Sequence, residues 1–208
     1  MSGTISFNPY QTTSPQNTFL LETQGYVEGL PYDDTVARLW LDRGILANTE
    51  TLPMWGGQPI AEVTNVTGTG GDGMGGTIKR ATSAATCTGF STFLQQGHMV
   101  IVPGPSVPVT SINTSVGFFR LNTQQRLAVQ LDPAAYTTIA ATPGAIDSYA
   151  LYWNPTSHFV TLTTTGGNWA LPTSLRLLSI NNNSKIVSYN ATTGAVTWTT
   201  GAAAMLLI

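Results

Sequence analysis

Between residues 90 and 208 the chain is a succession of short runs in which apolar and polar residues alternate. Each run is ended by a turn-forming cluster. The runs fall at 98–102, 116–121, 126–131, 149–154, 159–163, 175–180, 186–190, 196–199 and 205–208. The stops between them include Pro103-Gly104-Pro105, Pro143-Gly144, Gly166-Gly167-Asn168 and the three asparagines at 181–183. A side-chain period of two, broken this often, suits half-buried strands and leaves no room for long helices. Short strands at this spacing predict an all-β chain, an antiparallel sandwich or barrel of jelly-roll-like character. The clearest unit is KIVSYN-ATTG-AVTW at residues 185–198, which reads as a hairpin. Its alternation places Ile186, Ser188 and Asn190 on one face, with Val187 and Tyr189 on the other.

Composition supports the same class. Hydrophobic residues make up 42% of the 208, enough for a core, yet only 9% are charged, against roughly 25% in an average soluble protein. Thr, Ser, Asn, Gln and Gly take the place of charge. With two lysines in all, ion pairs along exposed helix faces are not available.

Upstream the pattern changes. Residues 1–25 are polar, broken by Pro9 and Pro15, and dotted with Phe7, Tyr10, Phe19 and Leu20. They read as an extended N-terminal arm, with a disordered terminus as the competing reading. Spaced aromatics favour docking, since a free tail gains nothing from them. Residues 26–208 read as one β-rich domain. Within it, Asp33 or Asp34 suits the cap of a short helix carrying Val36, Leu39 and Trp40, but Leu39, Leu41 and Arg43 alternate as a strand would. Both readings stay open over so short a span. Pro53, Gly56, Gly57 and Pro59 then force a turn around Met54 and Trp55. There Trp55 is expected to fix the turn by packing, with Gly56 and Gly57 in conformations closed to other residues. Residues 64–89 are Gly-rich and read as a long loop, with a short hairpin through residues 77–80.

A net charge of −2 with scattered arginines offers no footprint for nucleic acid and no basic patch for a membrane surface. The lone Cys87 excludes an intramolecular disulfide. The N-terminus has no basic stretch leading into an apolar run, so no secretory signal is read there. The longest apolar run, residues 202–208, is far short of the ~20 needed to span a bilayer.

Catalysis requires convergent titratable groups. His98 heads an apolar strand and His158 sits in a turn, and neither belongs to a metal-ligand pattern. Cys87 reads as a small packed side chain. The acids are spread singly except Asp33-Asp34, which leaves no facing pair for glycoside hydrolysis. Asp72 lies in a glycine run (Gly68, Gly70, Gly73) that lacks the strand-then-helix setting of a nucleotide site. Trp153, Trp169 and Trp198 suit core packing better than an exposed sugar-stacking platform. The expectation is therefore no catalytic residue, no cofactor and no metal site.

Three segments carry a family resemblance. DDTVARLWLDRGILANTETLPMWGGQPIAE (residues 33–62), RLAVQLDP (126–133) and LPTSLRLLSINNNSKIVSYNATTGAVTWTTGAAAMLLI (171–208) resemble, in this order, segments of tailed-bacteriophage structural cement, or head decoration, proteins. The resemblance covers about 26–63 and 90–208; LPMWGG and RLAVQLDP are its most distinctive pieces. It implies a virion protein made in the host cytoplasm and added to the outside of an assembled capsid. There it would clamp neighbouring copies of the major capsid protein, as a homodimer or homotrimer. Phe7, Tyr10, Phe19, Leu20, Met54 and Trp55 are the expected interface residues. The rival readings are a tail or fibre protein with a glycan-binding β domain, a polysaccharide-cleaving enzyme, and the major capsid subunit itself. The last usually needs a long spine helix, and none is evident in the sequence.

Overall fold

The computed structural model describes residues 25–33, 41–64, 76–92, 107–145 and 147–208. Among these the chain is all-β with one short helix. Five strands close into a barrel: β1 (Leu41–Leu46), β2 (Pro59–Val63), β3 (Thr77–Arg80), β4 (Gly89–Thr92) and β5 (Ser115–Arg120). Their order around it is β1-β3-β2-β4-β5, closed by β5 against β1. Only the β1–β3 contact is parallel. Thr77–Arg80 is thus a full barrel strand, which shortens the loop expected at 64–89. Residues 65–75 of that stretch lie outside the described residues.

The alternation of β5 explains how the barrel is filled and what it leans on. Val116 and Phe118 point inward and pack with Leu46, Met54, Ile60 and Ile78. Phe119 points the other way. It pairs in register with Phe90 of β4, and both join the main core outside the barrel.

That main core lies between the barrel and the second half of the chain. β6 (Arg126–Gln130), β10 (Arg176–Tyr189) and β11 (Val196–Leu207) form a sheet in the order β10-β11-β6. A smaller sheet, ordered β8-β7-β9, holds β7 (Tyr152–Asn154), β8 (Phe159–Thr161) and β9 (Trp169–Ala170). Leu127, Val129, Val160, Trp153, Ala204 and Leu206 interdigitate in the shared core.

Helix α1 (Pro133–Ala141) was not read from the sequence. Asp132 caps it by accepting the Ala134 N–H, and Pro133 opens it, the two start signals that LDP carries. Ala135 and Ile139 bury against the sheet. The turn expected at 181–183 is a bulge within one long strand. The β10–β11 register shifts between Asn181 and Ser184, and Asn181 Oδ1 takes the Asn183 N–H at 2.7 Å. The bulge also receives the incoming chain: Ser184 Oγ accepts the Tyr26 N–H at 2.9 Å, and Lys185 N–H reaches Tyr26 O at 2.7 Å. The 185–198 hairpin is as expected, with Tyr189 opposite Val196.

Candidate functional site

The site grows from the edge of β10. Val27 makes a parallel bridge with Lys185, and Glu28 N–H continues it to Lys185 O at 2.9 Å. The chain then turns away, and the next outward donor of β10, Val187 N–H, is taken by Glu28 Oε2 at 2.7 Å. A side-chain oxygen thus replaces the carbonyl that a neighbouring strand would supply. The turn is possible because Gly29 (φ +77°) lies directly against Gly56, so close that a Cβ there would collide with the Gly56 backbone. Gly57 (φ +86°) likewise sits over the Glu28 side chain. The left-handed conformation expected of both glycines in LPMWGG is therefore found at Gly57, whereas Gly56 serves close approach. Gly29 N–H bonds Ala128 O at 2.8 Å, tying β6 into the same junction.

Glu28 is fully buried. Burial pushes its carboxyl up to about 8, against weaker pulls from the Val187 N–H and from Trp55. At neutral pH it is therefore mostly a protonated, neutral acid. The Trp55 indole lies near enough to favour the carboxylate, yet Trp55 Nε1 and Glu28 Oε1 fall short of hydrogen-bond geometry, and both are buried without a partner.

Trp55 is the hub of an aromatic cluster. Tyr189 stacks on it at 5.8 Å between centroids, and His158 meets it edge-on at 5.0 Å. The Arg80 guanidinium lies 5.4 Å from its ring centre. Arg80 is itself fixed by Glu50 at 2.6 Å and by Pro53 O at 2.7 Å, so one cation clamps the LPMWGG loop. His158 comes from the β7–β8 turn, where Asn154 Oδ1 accepts the N–H groups of Thr156 and Ser157. It adopts φ +58°. Burial, helped by the positive charge of Arg80, lowers its pKa to about 4. The ring is neutral at pH 7, and its Nδ1 is buried with no partner.

Beside this cluster opens a cavity of about 310 Å³. Trp55, His158, Tyr189 and Phe159 supply its rings, while Gln130, Thr156, Ser157, Ser188 and Thr199 supply polar groups. No Asp, Glu, Lys or Arg lines it.

Met54 and Trp55, expected at an interface, are 1% and 3% exposed. They are interior residues, Met54 in the barrel core and Trp55 in the junction, because the turn that carries them folds inward under Arg80. Phe7, Tyr10, Phe19 and Leu20 lie outside the described residues, as do His98, Asp72 and the helix-or-strand stretch 34–40. Cys87 is buried, its thiol pushed up to about 12 by desolvation. Trp153 is in the core, with Trp169 packed at its margin and Trp198 at the margin of the junction cluster.

The described carboxylates largely hold structure. Asp42 and Glu62 pair with Arg120, Glu50 with Arg80, and Asp33 with Arg126. Asp132 caps α1 and accepts the Thr161 hydroxyl at 2.8 Å. Among the described residues no three His, Cys, Asp or Glu converge as a metal site. The sequence reading missed Glu28, Arg80 and Tyr189 and gave His158 no role. Their meeting depends on contacts between residues up to 159 positions apart, for which a single sequence carries no local signal.

Compared with family models, curated proteins and solved structures, the chain matches none.

Proposed function

We propose that this chain is a capsid decoration protein that binds the outer surface of an assembled phage head and clamps neighbouring major capsid subunits. The observation that carries the reading is the junction itself. LPMWGG, RLAVQLDP and KIVSYN, the segments that resemble phage cement proteins, meet there through Gly29–Ala128, Gly29–Gly56 and Glu28–Val187. Segments far apart in sequence thus encode one structural unit, which gives a physical reason for their occurring together. The low-charge, hydroxyl- and amide-rich composition suits broad hydrogen-bonded contacts repeated over a symmetric lattice.

The mechanism is mass action. A protein that binds only the assembled lattice stabilises it by RT ln(1 + [L]/Kd), about 2.7 kcal/mol per site at a hundredfold excess over Kd. Residues 1–25 engage a neighbouring subunit through Phe7, Tyr10, Phe19 and Leu20, adding main-chain bonds to an exposed edge and burying aromatic anchors. Dimers or trimers on local symmetry axes multiply each contact.

Deleting residues 2–20 tests this division of labour. The truncated protein should keep its melting temperature and lose binding to undecorated heads. Undiminished binding would remove the arm from the mechanism.

A further inference from the structure

We infer that the cavity between the β7–β8 turn and the β10–β11 hairpin binds one neutral sugar ring. At about 310 Å³ it stands at the small end of the ~300–1,000 Å³ typical of ligand sites, sized for a single ring. Its chemistry narrows the ligand further. With no Asp, Glu, Lys or Arg in the lining and His158 neutral at pH 7, a charged ligand would touch no counter-ion and lose its hydration unrepaid. A hydrocarbon would leave the polar groups of Gln130, Thr156, Ser157 and Thr199 unanswered. Hydroxyls and a carboxamide both donate and accept, which is what the hydroxyls of a sugar require. The half-buried ring of Tyr189, held in place by its stack on Trp55, offers an apolar face to the C–H side of a pyranose.

His158 is the second, independent observation. It lines the cavity and is 7% exposed. It keeps an imidazole nitrogen unpaired in a turn held by three hydrogen bonds to Asn154. Buried polar atoms left without partners are uncommon in native proteins, and this one belongs to a residue of the cavity lining, where a ligand hydroxyl can reach it.

This inference is independent of the capsid reading and stands or falls apart from it. The experiment is an NMR titration of the full-length, isotope-labelled chain with the methyl glycosides of glucose, galactose and mannose and with N-acetylglucosamine. Glucuronate, glucose 6-phosphate and uridine serve as contrasts. At least one neutral sugar should give saturable shifts confined to the Trp55 indole N–H, the His158 ring, Tyr189 and residues 156–158. The contrasts should leave these signals in place. Thr156 and Thr199 are exposed, so Thr156→Val and Thr199→Val should fold normally and weaken binding by about tenfold for each lost hydrogen bond. Tyr189→Phe should retain binding. No response to any neutral sugar, equal response to the charged sugars or to uridine, or shifts lying outside the cavity would each overturn the assignment.

Discussion

Glu28 Oε2 takes the backbone N–H of Val187 at 2.7 Å, so a fully buried carboxyl completes the edge of β10 where the Val27–Lys185 bridge ends. The arrangement is costly to ionise, and that makes the stability of the protein depend on pH in a definable way. Glu28 titrates at about 8 when folded against 4.5 in its unperturbed form. Between those values the folded state holds a proton that the unfolded chain has released. Its contribution is complete below 4.5, declines as pH rises, and is gone above about 8. The slope approaches 1.4 kcal/mol per pH unit. Glu28→Gln keeps an acceptor for Val187 and cannot ionise. Urea midpoints measured from pH 5 to 9 should fall between about pH 6.5 and 8 for the wild type, and the variant should show no fall in that window. An equal fall in both would refute the buried acid.

His158 works in the opposite direction. Its folded pKa of about 4 lies below the unperturbed 6.5, so its contribution is complete above 6.5 and is lost as pH drops toward 4. From about 4.5 to 6.5 the unfolded state gains a proton on His158 and lacks one on Glu28, and the two slopes cancel. The wild type should therefore show a plateau there. His158→Asn, chosen because Asn tolerates the positive φ, should turn that plateau into a decline beginning near pH 4.5. A plateau that persists in the variant would exclude this pairing of slopes.

Trp55 is touched by Tyr189, His158 and Arg80 at once. Trp55→Ala should cost about 3–5 kcal/mol in chemical denaturation. It should also broaden the NMR signals of Tyr189 and His158, which lose their common support. Unchanged stability and oligomer size would mean that the junction is held by other contacts.

Two glycines separate collision from backbone strain. Gly29 and Gly194 both have positive φ, but a Cβ on Gly29 strikes Gly56 while a Cβ on Gly194 meets nothing. Gly194→Ala should cost only the left-handed penalty, about 1–2 kcal/mol. Gly29→Ala should cost clearly more. Equal midpoints in a denaturant series would show that the two turns do not in fact press together.

The strands were legible because alternation is local. In β5, Val116 and Phe118 alternating with exposed Ser115 and half-buried Gly117 declare a buried face without any knowledge of the partner strand. The hairpin at 185–198 was legible from ATTG for the same reason. What escaped notice was set by distant contacts. The asparagines at 181–183 carry turn chemistry, but the incoming chain at Tyr26 and the pairing to β11 convert it into a bulge. Helix α1 announced itself in LDP, and the Thr-rich segment that follows masked the signal. Ile186 and Val187, on opposite faces of β10, are both buried: Val187 joins the junction cluster and Ile186 lies over Gly201 of the neighbouring β11, a distinction no period reveals. The packing role of Trp55 was legible in LPMWGG, but Met54 and Trp55 were also expected at an interface, since nothing local shows that Arg80 and Glu50 fold their loop inward.

The central claim is that the chain decorates an assembled head, and counting tests it most directly. Purified full-length protein would be mixed with undecorated, expanded heads, and the bound copies per particle measured by quantitative mass analysis. The account predicts saturation at hundreds of copies in a fixed ratio to the major capsid protein, with decorated heads surviving heat or chelator that bursts bare ones. No binding to heads, or a handful of copies per particle, would contradict it and favour a tail or fibre protein.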